Sequence, residues 1–353
     1  MSVREIHKTP VGFLGVTVFG FAATAVCFLS PPAHCQAVKP GQVPELVWPG
    51  PPEKARIKYV GSLSSESDLF AKKRRGLKEI LLGKEDKKVL ALARPIGICT
   101  DSKGRILVAD GLQGFVLVFD RVKRHVSVIG DKGEGRLQGP LDIAVDPADN
   151  VYVSDYRRRN VFVFDREGRF LHTLAGPKEL ENPVGLAYDP KNDRLLVADS
   201  KANKILVYGP KGGLISKFGE AGEKEGQFRF PTFLDVGPDG LIYIVDTLNF
   251  RVQVFDPRFQ YYDDFGIAGD SGGQFSRPKG IALDSQNNIY VVDAAFGNIQ
   301  IFDQDYRLLL AVAEGGVGPG QLTLPAGIHI DDGDAIYVAD TNNSRIQIFQ
   351  YLR

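Results

Sequence analysis

One slot that recurs six times in this chain holds alanine in three copies, Ala144, Ala187 and Ala282, and holds Cys99, Asp235 and His329 in the other three. A carboxylate and an imidazole can together hold a divalent cation, activate a water or pass a proton. Asp235 and His329 stand two copies apart, so an architecture that gathers the slots around an axis lets both reach one ion, water or ligand. Cys99, in the same slot, reads as a small buried hydrophobe. Six aspartates, Asp110, Asp155, Asp199, Asp246, Asp293 and Asp340, also recur, 44 to 47 residues apart. Their repetition argues against catalysis, because a catalytic group is needed once. A carboxylate ending a strand can instead bind the amides of its own turn. Asp246 with Arg251, and Asp340 with Arg345, add a loop-bracing ion pair.

Other reactive groups are scarce. Cys27, Cys35 and Cys99 form no C-x-x-C pair, so cysteine-based metal and haem sites have little support. Beyond residue 37 the histidines are His125, His172 and His329, too scattered for a multi-histidine zinc site. There is no calcium loop of D-x-D-x-D-G type, no G-x-S-x-G elbow and no phosphate loop. No cofactor is expected, with a divalent metal in the channel left open. Lysine plus arginine balance aspartate plus glutamate at 43 each, which gives no global electrostatic reason to bind nucleic acid, and none is expected as a partner.

The elements that must position these residues follow from the repeat. The pattern P-x-G-(I/L)-A-x-D, then (I/L)-(Y/L)-V-x-D, then an apolar strand ending in F-D, opens at Pro95, Pro140, Pro183, Pro231, Pro278 and Pro325, 43 to 48 residues apart. A unit that cannot bury its apolar face alone must stack on its neighbours. Within each unit the apolar residues alternate with period two and are punctuated by Gly and Pro turns, which predicts four short antiparallel strands. The expected fold class is all-β, a six-bladed β-propeller of four-stranded antiparallel blades. The last unit stops after its third strand, and the segment Arg56 to Gly61 resembles the fourth strands elsewhere. An N-terminal strand is therefore expected to complete the last blade, closing the ring and removing an exposed edge.

Outside the repeats, Arg4 and Lys8 precede an apolar run from Val11 to Leu29 and the pair Pro31-Pro32. Residues 1–37 read as a signal peptide cleaved after Ala37 or as an uncleaved membrane anchor helix. Either way, the expected location is outside the cytoplasm, as an exported periplasmic, cell-envelope or membrane-anchored chain, with membrane association through the N-terminus. Residues 38–55 are proline-rich and predict an extended linker. Residues 56–353 are the propeller, interrupted over 64–84 by an inserted amphipathic helix. There Ser65 and Asp68 form a capping box, and Lys72, Lys73, Arg74 and Arg75 form a basic face suited to acidic headgroups or an acidic partner.

The units Arg277 to Ala282, Asn288 to Asp293 and Asn298 to Asp303, with the connectors Gly226-Gln227-Phe228 and Gly273-Gln274-Phe275, resemble NHL repeats. The resemblance spans Arg56 to Phe349, and with the export signal the whole is similar to exported bacterial NHL-repeat proteins. It implies a six-bladed propeller and, most often, binding of a protein or other polymer through one face, without implying one function, since propellers of similar build include lyases and hydrolases. The loops between second and third strands present Tyr156, Arg157, Arg158, Arg159, Asn249, Phe250, Phe296 and Asn342, aromatics beside arginines that suit such recognition. The expected function is a non-catalytic binding scaffold, more a binding protein than an enzyme. The alternative is a metal-dependent hydrolase or lyase at the central channel.

Overall fold

A computed structural model describes residues 46–70, 89–209 and 212–353. The innermost strands Pro95–Thr100, Pro140–Val145, Pro183–Asp189, Pro231–Val236, Pro278–Leu283 and Ile328–Ile330 each begin a four-stranded antiparallel run. Blades 1 to 6 are numbered from these strands in chain order. The second and third strands of every blade are buried over nearly all their length. The fourth strands are mostly exposed, as in Leu214–Phe218. Burial on both faces explains the continuous Val, Ile and Leu runs at the second strands.

The core lies between blades rather than within them. Leu107, Ala109, Val116 and Val118 of blade 1 pack on Ile143, Val151, Val153 and Phe162 of blade 2. The circle closes where Ile106, Val108 and Leu117 of blade 1 meet Tyr337, Ile346 and Ile348 of blade 6. Near the axis the chains come too close for side chains. A Cβ at Gly280 would lie 2.3 Å from the Ala326 carbonyl oxygen, and one at Gly327 would lie 2.5 Å from that of Ile96.

Blade 6 receives its fourth strand from the other end of the chain. Ile57–Leu63 runs antiparallel to Arg345–Tyr351, with Ile57 opposite Tyr351 and Leu63 opposite Ile346. Upstream, Val47–Trp48 adds a fifth strand to the blade, and the Trp48 ring meets Phe349 edge-on at 5.7 Å. Part of the proline-rich lead is thus packed structure, because Trp48 has an apolar surface to bury.

Where the chain is described, the helix expected over 64–84 does not form, and the fold-class reading is corrected there. Among the described residues the longest helix is the four-residue 3-10 turn Glu66–Leu69. The Asp68 carboxylate accepts the amides of Ser64 and Ser65, so the capping signal is real, but Phe70 is already extended and ends the turn. A cap stabilises a helix start without supplying the packing that propagates it. The basic residues Lys72, Lys73, Arg74 and Arg75, and the signal or anchor segment 1–37, lie outside the described residues. Among those described, no helix is long and apolar enough to cross a membrane.

Because Ile57 is fully buried in the closing strand, Ile57→Ala should lower unfolding stability by about 3 kcal/mol in denaturant titration of the full chain. An unchanged midpoint would mean the closing strand carries no stability.

Candidate active site at the mouth of the propeller channel

The six strand-end aspartates are fully buried and serve the loops. Asp110 accepts the amides of Ala93 and Arg94 at 2.6 and 3.0 Å, and those of Leu112 and Gln113 on its other oxygen. Asp293 accepts the amides of Ser276 and Arg277 at 2.7 and 3.0 Å, and those of Ala295 and Phe296. Each carboxylate therefore joins the loop entering its blade to the loop between its second and third strands. The two ion pairs expected from sequence are present, Arg251 to Asp246 at 3.1 Å and Arg345 to Asp340 at 2.7 Å.

These loops surround a cavity of about 860 Å³ on the propeller axis. Its inner wall is a ring of the six residues that follow the opening prolines: Ile96, Leu141, Val184, Thr232, Lys279 and Ala326. Five are uncharged and one is lysine. Arg94 and Arg277, each just before an opening proline, stand at the rim, and the wall holds no carboxylate. Thr247 Oγ1 donates to the Pro278 carbonyl at 2.9 Å and Thr232 Oγ1 to that of Lys279 at 3.3 Å, which fixes the backbone carrying the lysine. Burial, reinforced by the guanidinium charges of Arg277 and Arg94, pushes the Lys279 ammonium down to about 8. Among the described residues no ion pair or side-chain hydrogen bond neutralises Lys279, Arg94 or Arg277.

Phe233 lines both this mouth and a smaller chamber beneath, of about 160 Å³. That chamber holds the slot read from sequence: Cys99, Asp235 and His329, with Ala144, Ala187 and Ala282. The structure thus brings Asp235 and His329 to one cavity, as expected, but they are already engaged. Asp235 accepts the amides of Val236 and Leu283 at 2.8 and 3.1 Å. His329 Nε2 shares a hydrogen bond with Thr100 Oγ1 at 2.7 Å. Burial pushes His329 down to about 4, Asp235 up to about 6 and the Cys99 thiol up to about 12. Among the described residues no group of three His, Cys, Asp or Glu side chains is placed to hold a metal ion. The donor set does not fit one, because its oxygens and nitrogen brace neighbouring strands.

Sequence reasoning missed Asp142, which sits in the chamber where the repeat usually has glycine. Its carboxyl accepts the Leu186 amide of the next blade at 2.8 Å. Burial pushes it up to about 8, against the pull of the Leu186 and Ile143 amides. Lys279, Arg94, Arg277, Phe230 and Phe233 were missed too. The signal was available at or beside the P-x-G element, where Lys279 is the one charged residue after an opening proline, Arg94 and Arg277 are the two cations before one, and Phe233 stands where four blades have glycine.

Of the loop-face candidates, Tyr156 and Phe250 line the mouth. Arg157 lies against the Tyr156 ring and donates to its hydroxyl at 3.0 Å. Arg158 stacks over Phe162 at 4.8 Å and donates to the Arg136 carbonyl. Arg159 is exposed in the left-handed region. The Asn249 amide is spent on the Gly222 carbonyl and Asp246. Phe296 is half-buried, and Asn342 is exposed with its own amide bound to the Thr323 carbonyl.

Comparison with known proteins places this geometry in context. Residues 228–255 and 322–349 match the NHL repeat family, and residues 142–217 match a family described as 6-bladed beta-propeller. E3 ubiquitin-protein ligase NHLRC1 of Homo sapiens is 31% identical over 75 residues, covering 21% of this chain and 19% of that protein. The chain therefore spans about a fifth of that relative's length. Among solved structures, a streptogramin B lyase superposes with TM-score 0.56 at 11% identity, over 74% of this chain and 94% of that one. Virginiamycin B lyase from Staphylococcus aureus gives 0.55 at 13%, over 74% and 96%. An auxiliary nutrient binding protein from Bacteroides thetaiotaomicron gives 0.60 at 16%, over 74% and 70%. At such identities the likeness establishes the architecture.

The non-catalytic scaffold expected from sequence, and the lean away from an enzyme, are corrected here. The same fold carries lyase chemistry in two of these structures. The premise that no reactive group is assembled also fails, because the loop face encloses a half-buried lysine whose ammonium is pushed down from its ordinary value.

The Asp142 proton, retained to about 8 in the fold, leaves near 3.8 in the unfolded chain. The folded state then binds more protons between those values, so this group lowers stability as pH rises through the window. Asp142→Asn cannot ionise and should gain stability over the native chain as pH rises from 5 to 8, the difference fading toward pH 3. A pH-independent difference in unfolding midpoint would contradict the assignment.

Proposed function

We propose that this propeller is an enzyme of lyase type whose site is the axial mouth, with Lys279 as general base. The observation that carries the proposal is the position of Lys279, the single amine in an uncharged ring, half-buried and without a carboxylate partner among the described residues. An amine pushed down to about 8 is partly neutral at physiological pH and can accept a proton, as catalytic lysines must. Arg94 and Arg277 are placed to hold the anionic group of a substrate and to stabilise charge that develops when a neighbouring carbon loses its proton. In such an elimination the C–H bond breaks toward the Lys279 amine, its electrons form a C=C bond, and the leaving group departs with its electron pair. Asp142, Asp235 and His329 lie below Phe233, where their hydrogen bonds hold the inner strands. The charged-then-apolar pattern of residues 1–37, read as a signal or anchor, supports a location outside the cytoplasm, where the substrate would be met.

The test is to incubate the purified protein with a panel of β-substituted carboxylates and cyclic esters and to follow elimination products by mass spectrometry. Turnover should rise with pH through a midpoint near 8, the lysine pKa, and should fall by about 100-fold or more in Lys279→Met. Turnover that survives Lys279→Met, or products of water addition alone, would overturn the proposal.

A further inference from the structure

The mouth combines two features whose pairing identifies a ligand class. The first is charge without compensation. Arg94, Arg277 and Lys279 converge closely enough that both guanidinium charges bear on the Lys279 ammonium. The cavity wall supplies no acid. By contrast, Arg251 is paired with Asp246 and Asp264, and Arg345 with Asp340. Lys279 is half-buried and Arg94 and Arg277 are exposed beside it; like charges gathered at one opening repel one another, and an anion relieves that repulsion.

The second feature is apolar surface left open beside the charges. Phe230 is 42% exposed and Leu248 48% exposed, and both line the cavity with Phe233, Phe250 and Tyr156. Phe230 and Phe250 also adopt left-handed backbone, with φ of 60° and 57°, a conformation that costs a bulky residue about 1 kcal/mol or more. The loops hold these rings in place regardless. Phe250 ends a 3-10 turn with its amide bound to the Thr247 carbonyl. The Phe230 amide is bound to Asn203 Oδ1. Aromatic faces displayed next to cations suit a ligand with a flat apolar body and a charged head.

The opposite mouth of the channel is lined by Asp101, Asp146, Asp149, Asp331 and Asp332. Asp101 and Asp149 are paired with Arg105 and Arg166, and the remaining carboxylates still make this end less favourable to an anion than the cationic mouth.

We infer that the mouth binds an amphipathic organic anion, its head held by Arg94, Arg277 and Lys279 and its aromatic or alicyclic body laid against Phe230, Phe233 and Phe250. This deepens the lyase reading by naming the substrate class, and it concerns binding alone, so it is testable without turnover.

The experiment uses two fluorescent probes of one shape, anionic 1-anilinonaphthalene-8-sulfonate and neutral N-phenyl-1-naphthylamine, titrated against the full chain. The anionic probe should bind one site at least about tenfold more tightly than the neutral one. Added salt should narrow that gap. Arg277→Gln combined with Lys279→Met should weaken the anion by about tenfold or more and leave the neutral probe unchanged. Phe233→Ala should weaken both, and Phe230→Ala, at an exposed position, repeats that arm should Phe233→Ala fail to fold. Equal affinity for the two probes, or a double variant that binds the anion within about twofold of the native chain, would overturn the inference. Selective anion binding without turnover of any carboxylate would retain this inference and sink the lyase reading alone. Turnover without selective binding would do the reverse.

Discussion

A buried carboxylate that satisfies loop amides is the interaction on which the rest of this molecule depends. A propeller places its functional face on loops, and loops carry backbone donors that no sheet ladder satisfies. At the end of each second strand an aspartate resolves this, as Asp110 and Asp293 do for four amides each. Leaving such donors buried and unpaired costs about 1–3 kcal/mol each, so the loops are held close to one conformation. Two of the amides held belong to Arg94 and Arg277. The device that stabilises each blade also fixes where the cations of the mouth stand.

The axis is organised in layers that differ in charge. Cations and open aromatics form the upper mouth, Phe233 lies at the boundary, and buried Asp142, Asp235 and His329 occupy the chamber below. Burial drives each of these three toward its neutral form. Near neutral pH His329 is therefore neutral and Asp142 mostly protonated, while Asp235, raised only to about 6, stays mostly ionised and leaves the chamber one negative charge at most. Among the described layers of the axis, the Lys279 level combines a shifted pKa, open access and unspent hydrogen-bonding capacity. That combination separates a candidate reactive group from groups that hold strands together.

Much of the architecture was legible because a period of 43 to 48 residues leaves few folds to choose from, and because Arg345–Tyr351 visibly lacked a fourth-strand partner that Ile57–Leu63 could supply. The start of the helical insertion was misread, since Ser65 and Asp68 give the same capping signal for the single turn Glu66–Leu69 as for several turns. Asp235 and His329 line one cavity, but sequence cannot show that Val236 and Leu283 already hold the Asp235 oxygens and Thr100 the His329 Nε2. The mouth was half visible. Tyr156 and Phe250 were found as loop aromatics. Lys279, Arg94 and Arg277 were hidden because attention fell on the slot after G-(I/L) and not on the residues flanking the proline. The Arg157 to Arg159 run looked like a binding patch, yet Arg157 and Arg158 are stacked on their own aromatic neighbours.

The central claim is that the fold tunes one lysine at the channel mouth. Direct NMR titration of the side-chain amine of Lys279 in the full chain, assigned by its loss in Lys279→Arg, tests this without a substrate. The account predicts a midpoint near 8. A midpoint near 10.5, the ordinary lysine value, would show that the mouth exerts no such tuning and would contradict the account.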